Sequence, residues 1–313
     1  MKKIVISEFM DEAAVDMLRP SFIVQYEPEL GIDRAALLDA VKDADALIVR
    51  NRTQVDQEVL QAGQKLVAVG RLGVGLENID VPQCTSRGID VIPAVGANAA
   101  AVAEYVVSVA MLLMRGFLFS SQDVAAGHWP RSQLSSGREA ASKTIGIVGF
   151  GSIGQTVSAL AQAVGMQVIA YDSKLDPSHA IWRGVRRCDD LDTLFRESDA
   201  VTLHIPYSTQ NANLVDEQRL ALMKQTAVLI NTARGGIVDE TALANALRAG
   251  RLAAAAVDVF EHEPLASGSP LADAPNLLLT PHIAGVTLES NVRVSSLIAQ
   301  RIAEKLNTLS FNL

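Results

Sequence analysis

Hydrophobic positions along the chain fall into short runs separated by longer amphipathic stretches. The runs at Ile4–Ser7, Phe22–Tyr26, Ala46–Val49, Leu66–Val69 and Val91–Ala94 predict strands. Asp11–Leu18, Arg34–Val41 and Val55–Gln61, which lie between them, carry helical spacing. Strands alternating with helices predict a parallel, doubly wound α/β sheet, and strands apolar at nearly every position fit a sheet covered on both faces.

The pattern changes scale in the middle of the chain. Ala99–Phe119 reads as one long apolar helix, followed by a polar, serine-rich stretch at Ala125–Ser142. A second strand–helix series starts at Lys143, with strands expected at Thr144–Val148, Gln167–Tyr171, Ala200–His204, Ala227–Asn231, Ala254–Val257 and Leu277–Thr280. The last helical pattern runs from about Leu288 to Leu306, with Thr287 placed to cap it. The first series is one strand–helix unit short of a symmetric partner, and the last helix has no strand after it. We therefore expect two α/β domains, one discontinuous (1–98 plus 286–313) and one continuous (99–285). Two domains also suit 313 residues, more than one core usually serves.

The sharpest local signal lies at the start of the second series. Gly149, Gly151 and Gly154 form G-x-G-x-x-G directly after an apolar strand and before an amphipathic helix. The first glycine permits a tight turn, the second lets backbone approach a pyrophosphate, and the third lets helix and strand pack closely. The helix start offers free N–H groups to the phosphates. The next strand ends in Asp172, where a carboxylate takes the ribose hydroxyls of an adenosine and repels a 2′-phosphate. The expected cofactor is NAD, although Lys174 nearby weakens the case against NADP. Six strands is the number expected of such a dinucleotide-binding sheet.

Three later segments place ionisable residues just past strands of the same series: Asn231-Thr232-Ala233-Arg234-Gly235-Gly236, Asp258-Val259-Phe260-Glu261-His262-Glu263-Pro264 and Thr280-Pro281-His282-Ile283-Ala284-Gly285. Reducing a 2-keto acid needs a cation for the carboxylate, a proton for the carbonyl oxygen, and an anion to orient the resulting imidazolium partner. Arg234, His282 and Glu263 are of the right types. Taken singly, each has a plainer alternative: a surface ion pair for Arg234, a solvated loop acid for Glu263, a strand-end cap for His282. His204 ends its strand and is expected to shape the cofactor pocket rather than react.

Composition narrows the field. The net charge of −8 offers no basic surface for nucleic acid, but leaves room for a small anionic substrate held by local arginines. The two cysteines, Cys84 and Cys188, form no CxxC spacing, and no His/Cys cluster suggests a metal. They fit a reducing compartment. The N-terminal apolar run is too short for a signal peptide, and Tyr105–Met114 is too short to span a bilayer, so a cytoplasmic protein is expected.

Together these motifs resemble the D-isomer-specific 2-hydroxyacid dehydrogenases, over nearly the whole chain. The matching runs are Gly-Phe-Gly-Ser-Ile-Gly at 149–154, Asn-Thr-Ala-Arg-Gly-Gly at 231–236, Asp-Val-Phe-Glu-His-Glu-Pro at 258–264 and Thr-Pro-His-Ile-Ala-Gly at 280–285. The resemblance implies a flavodoxin-like substrate domain and a Rossmann NAD-binding domain with a cleft between them. It implies that Arg234, Glu263 and His282 are the catalytic set. It further implies cofactor contacts from Gly149, Gly151, Ser152, Ile153, Gly154, Asp172, His204, Pro206, Ala233, Asp258 and His282. The loop Arg71-Leu72-Gly73-Val74-Gly75 is expected to bind the substrate carboxylate with backbone N–H groups, alongside Arg234.

The segment Gln122–Arg138, bearing Trp129 and Arg131, is expected to embrace a second subunit and make a homodimer. Two departures stand out. Tyr105 replaces the family's usual histidine, which is expected to alter packing at the dimer helix. Arg52, in the run Arg50-Asn51-Arg52-Thr53, adds charge near the mouth of the cleft. Arg52, Arg71 and Arg131 are further cations available for an anionic substrate tail: a phosphate, a sulfonate or a second carboxylate. Structural ion pairs or plain solvation are the alternative for all three. The chain length leaves no room for the regulatory domain of some phosphoglycerate dehydrogenases, so serine feedback is not expected. Two rivals share the scaffold: an NAD-sensing regulator without turnover, and formate dehydrogenase, which lacks the glutamate partner at the position of Glu263.

Overall fold

Strands and helices alternate through nearly the whole chain in the computed structural model, which describes residues 1–118 and 120–308. The chain divides into two units, one made of Met1–Asn98 with the segment from Val286 onward, the other of Ala99–Gly285.

In the first unit, β1 (Lys3–Ile6), β2 (Ile23–Tyr26), β3 (Ala46–Val49), β4 (Ala68–Arg71) and β5 (Asp90–Pro93) form one parallel sheet of order β2-β1-β3-β4-β5. Alternate residues of a strand face opposite ways. Ile4, Ile6, Ala46, Ile48 and Ala68 therefore enter one core, and Val5, Leu47, Val49 and Val69 another. Helix α1 (Glu12–Leu18) and the closing helix Leu288–Thr308 cover the first face. Helices α2 (Arg34–Ala40), α3 (Gln57–Ala62) and α4 (Val81–Ser86) cover the second. The closing helix buries Val294, Ile298, Ile302 and Leu306 against the sheet. Its approach requires a glycine beneath it, since a Cβ on Gly70 would lie 2.7 Å from Ile298 Cγ2. Thr287 caps this helix by accepting the Ser290 N–H at 3.0 Å.

The second unit begins with α5 (Ala99–Arg115), followed by the short helices α6 (Ser120–Ala125) and α7 (Arg131–Leu134), neither of which buries a residue. Phe119, the last residue of the expected long helix, lies outside the described residues, as do 309–313. The strands are β6 (Thr144–Val148), β7 (Gln167–Tyr171), β8 (Arg186–Arg187), β9 (Ala200–Leu203), β10 (Val228–Asn231), β11 (Ala254–Val257) and β12 (Leu277–Leu279). They form a parallel sheet of order β12-β11-β10-β9-β6-β7-β8. Helices α8 (Ser152–Ala163), α9 (Leu191–Glu197), α10 (Glu217–Leu222) and α11 (Glu240–Arg248) link them.

The sheet has seven strands rather than the six expected. β8 consists of two arginines at the sheet edge, a stretch with no apolar pattern to reveal it. Strand order reverses between β6 and β9, and open α/β sheets bind ligands at the carboxyl ends of strands beside such a reversal. The expected long helix from Ala99 stops at Arg115, where Gly116 takes φ +70°, instead of running on toward Phe119; other strand and helix ends differ from expectation by one or two residues, as with β4, which starts at Ala68 rather than Leu66.

Seven of the helix starts share one device. Asp11, Asp33, Asp56, Asp80, Asp190, Asp216 and Asp239 each precede a helix and accept a backbone N–H from its first turn. Each such cap is worth about 1 kcal/mol, which matters for helices of barely two turns.

Candidate active site

The dinucleotide turn follows from sterics. Gly149 sits at φ +92°, and a Cβ there would lie 2.5 Å from the His204 carbonyl oxygen. A Cβ on Gly154 would lie 2.3 Å from the Gly149 carbonyl oxygen, so helix α8 reaches β6 only through a glycine. A Cβ on Gly151 would meet nothing within 4 Å, leaving an open approach to the backbone. Gly151 is also the N-cap of α8 and supplies no side-chain cap. The amides at Ser152, Ile153 and Gly154 therefore open the helix toward whatever occupies that space.

Asp172 follows β7 and is held by backbone on both oxygens. Its Oδ2 accepts the Phe150 N–H at 2.8 Å, and its Oδ1 accepts those of Lys174 and Leu175 at 2.8 and 3.2 Å. Trp182 stacks on Phe150 with centroids 5.1 Å apart and planes 9° from parallel, bracing the turn.

Two buried polar atoms at neighbouring strand ends have no partner among the described residues: Nδ1 of His204 after β9 and Oγ1 of Thr232 after β10. The other ring nitrogen of His204 lies 3.0 Å from Thr202 Oγ1. Burial pushes its pKa down to about 3, so the ring is neutral at physiological pH. Enclosed polar atoms without partners are costly. An open glycine turn, free helix amides, a fixed carboxylate and orphaned polar atoms together fit a bound dinucleotide. Pro206 lies two residues past His204 and is exposed.

Arg234, Glu263 and His282 follow β10, β11 and β12, three adjacent strands. His282 Nδ1 and Glu263 Oε2 are 2.8 Å apart, and the histidine side chain keeps half of its exposure. Oε1 of the same glutamate accepts the Phe260 N–H at 3.1 Å, fixing the carboxylate. The loop carrying Arg234 packs on the loop carrying Glu263. A Cβ on Gly235 would fall 1.8 Å from the Phe260 carbonyl oxygen. Asn231 braces the Arg234 loop by accepting the N–H of buried Ala233 and donating to the Arg234 carbonyl, both at 3.1 Å. The guanidinium donates to the Ala233 carbonyl at 2.6 Å.

Asp258, 1% exposed, organises the histidine loop. Its Oδ1 accepts the Thr280 hydroxyl at 2.6 Å and the Ile283 N–H at 2.8 Å, and its Oδ2 accepts the Ala284 N–H at 2.8 Å. Tyr105 joins this network, its hydroxyl 2.7 Å from Thr280 Oγ1. The residue expected to alter helix packing thus directs its polar end at the histidine loop.

In the first unit, loop 50–53 follows β3 and wraps a buried carboxylate. Glu8, at the end of neighbouring β1, accepts the N–H groups of Arg50, Asn51, Arg52 and Thr53 at 2.8–3.2 Å. These bonds hold its pKa below the ordinary carboxylate value against the opposing effect of burial. Arg50 donates to Asn291 Oδ1 at 3.1 Å and lies 5.9 Å from the Phe9 ring centroid. Arg52 is exposed.

The expected nest at Gly73–Gly75 has one amide already engaged, because the Gly73 N–H bonds the Arg71 carbonyl at 2.7 Å. Arg71 itself ends β4 and donates to the Leu72 carbonyl, while Val74 is 37% exposed. Arg131 and Trp129 are exposed, Trp129 at 77%. Among the described residues no group of three His, Cys, Asp or Glu side chains is arranged to hold a metal.

Sequence reading missed Glu8, Thr232 and the Tyr105–Thr280 link. An acid closing an apolar strand was the available signal for Glu8. Nothing local marks the other two.

The model of the "D-isomer specific 2-hydroxyacid dehydrogenase, NAD binding domain" matches residues 107–284. The (S)-sulfolactate dehydrogenase of Chromohalobacter salexigens is 48% identical over 306 residues, 98% of this chain and 99% of that protein. A D-3-phosphoglycerate dehydrogenase of Synechocystis sp. is 39% identical over 98% of this chain. That match covers 54% of the relative, so the chain spans about half its length. The solved structure of the TT0316 protein from Thermus thermophilus superposes with a TM-score of 0.87 at 30% identity, covering 98% of this chain and 97% of that one. The chain belongs to the D-isomer-specific 2-hydroxyacid dehydrogenases. It is an NAD-dependent oxidoreductase of 2-hydroxy acids.

Proposed function

We propose that this chain interconverts a D-2-hydroxy acid and its 2-keto acid, that the acid bears a second anion at C3, and that a sulfonate is the best such anion. The observation that carries the catalytic part is the 2.8 Å pairing of His282 with Glu263, on strand ends adjacent to the one bearing Arg234. NAD, when bound, would supply or accept the hydride at C2. Arg234 binds the substrate carboxylate through its planar fork. In the reductive direction His282 gives its proton to the C2 oxygen as the alkoxide forms, and in the oxidative direction it takes that proton back. Glu263 orients the ring. Gly149, Gly151, Ser152, Ile153 and Gly154 would hold the pyrophosphate, and Asp172 the adenosine ribose. His204, Pro206, Ala233 and Asp258 would line the remainder of the cofactor site.

The sulfonate reading rests on full-length similarity to an (S)-sulfolactate dehydrogenase. The label S is compatible with D geometry. In lactate the carboxylate outranks the methyl group, but in sulfolactate the sulfur-bearing carbon outranks the carboxylate, which inverts the descriptor without moving an atom. Arg52, Arg71 and the loop 73–75, through the amides of Val74 and Gly75 since the Gly73 N–H bonds the Arg71 carbonyl, are the proposed contacts for the substrate in the first unit. The protein is further proposed to be a cytoplasmic homodimer joined through the segment bearing Trp129, whose exposed indole suits a partner surface. Among the described residues no helix is long and apolar enough to cross a membrane.

The test is NADH oxidation with sulfopyruvate, phosphohydroxypyruvate and hydroxypyruvate. Sulfopyruvate is expected to give the highest kcat/KM, at least about tenfold above hydroxypyruvate, as one well-made ionic contact provides. Equal values for all three would remove the anionic-tail proposal. No turnover of any of the three would remove the proposed substrate class.

A further inference from the structure

The hydrogen-bond network behind His282 has a direction. Asp258 as a carboxylate only accepts, so the Thr280 hydroxyl, 2.6 Å from its Oδ1, spends its one proton on that bond. Thr280 Oγ1 can then only accept from Tyr105, 2.7 Å away. The chain runs Tyr105 O–H to Thr280 O–H to Asp258. From Asp258 the bonds fan out over the histidine loop. Its carboxylate takes the Ile283 and Ala284 N–H groups, and its carbonyl takes the His282 N–H at 2.9 Å. His282 sits at φ +56°, a left-handed conformation that a residue with a Cβ keeps only when its surroundings over-determine it. The ring is half-exposed and pairs with Glu263, so its direction depends on this backbone being held.

We propose that Tyr105 is a positioning residue for His282, acting through Thr280 and Asp258. The proposal rests on the assignment of His282 as the proton donor. Helix α5 supplies the anchor. Tyr105 packs against the core formed by Val102, Val106, Ile145 and Ile147, so the hydroxyl projects from a rigid base. Burial raises the tyrosine pKa above its ordinary value, keeping the group a donor throughout the working pH range. Its bond to Thr280 is between neutral groups, the next ends on the carboxylate, and successive bonds polarise one another. Loss of the first donor therefore weakens the hold on the last.

Tyr105→Phe keeps the ring and removes the donor. It is expected to lower kcat about threefold to tenfold, the worth of one neutral hydrogen bond, with KM for the keto acid unchanged. Thr280→Val cuts the chain at the carboxylate and is expected to lower kcat about 10- to 100-fold. Thr280→Ser keeps the hydroxyl and should restore most of the activity. The double variant Tyr105→Phe/Thr280→Val should be no slower than Thr280→Val alone, because both act through one path.

Amide hydrogen exchange across residues 282–284 gives a readout independent of turnover and should speed up in both single variants. Wild-type kcat in Tyr105→Phe, unchanged exchange at 282–284, or additive losses in the double variant would each overturn the proposal. His282→Ala serves as the control: if it retains activity, the proton-donor assignment fails, whereas an inactive His282→Ala beside an unaffected Tyr105→Phe sinks the positioning role alone.

Discussion

Replacing Gly235 by alanine adds one methyl group at the place where the Arg234 loop meets the Glu263 loop. The new Cβ would lie 1.8 Å from the Phe260 carbonyl oxygen, 2.0 Å from its carbon and 2.5 Å from the Glu261 nitrogen. All three are backbone atoms, so no side chain can swing aside. Carbon and oxygen do not approach within about 3 Å without steep repulsion, so the two loops must part by roughly 1 Å. A displacement of that size at a reacting centre costs about 10²-fold in rate. The overpacking also costs about 1–3 kcal/mol of stability, which a cooperative domain can absorb.

The assay is steady-state NADH oxidation with the best keto acid, alongside NADH binding by fluorescence and thermal melting. We expect kcat/KM to fall about 10²-fold, with the protein folded and NADH still bound, since the glycine turn at 149–154 is untouched. A Gly235→Ala enzyme with wild-type kcat/KM would refute the reasoning that this close approach holds the arginine and the glutamate in register.

His282→Ala should lower kcat by about 10²–10⁴-fold through loss of proton transfer. Arg234→Lys, which keeps the charge but not the planar fork, should lower kcat/KM by about 10²-fold with a raised KM. Glu8→Ala leaves four inward-facing N–H groups without their acceptor. Urea denaturation should register a loss of about 3–5 kcal/mol, and a loss below about 1 kcal/mol would contradict the role given to that carboxylate. Acid should weaken the fold through His204. Its folded pKa is lowered to about 3, so below its ordinary value near 6.5 the unfolded chain takes up a proton that the native ring refuses. Stability therefore falls as pH drops from about 7 to about 5, by at most about 2 kcal/mol, and His204→Asn should flatten that slope in denaturant titrations.

Local patterns carried much of this protein. Apolar four-residue strands separated by helical spacing defined two parallel sheets, because a strand buried on both faces must be hydrophobic at nearly every position. The glycines at 149, 151 and 154 predicted a dinucleotide turn: a positive φ and a close backbone approach exclude a Cβ at 149, a close approach excludes one at 154, and 151 leaves the backbone open. β8 stayed invisible because a two-residue edge strand of arginines has no face to bury.

What only the tertiary structure decided are relations between distant residues. The order of strands at the reversal, the packing of the closing helix over Gly70, the carboxylate of Glu8 inside loop 50–53 and the reach of Tyr105 to Thr280 each join positions far apart in the chain. Periodicity reports which face of an element is buried. It carries no information about which polar atom on another element completes a given hydrogen bond, because that pairing is set by how whole layers dock and by the requirement that buried donors and acceptors be satisfied together.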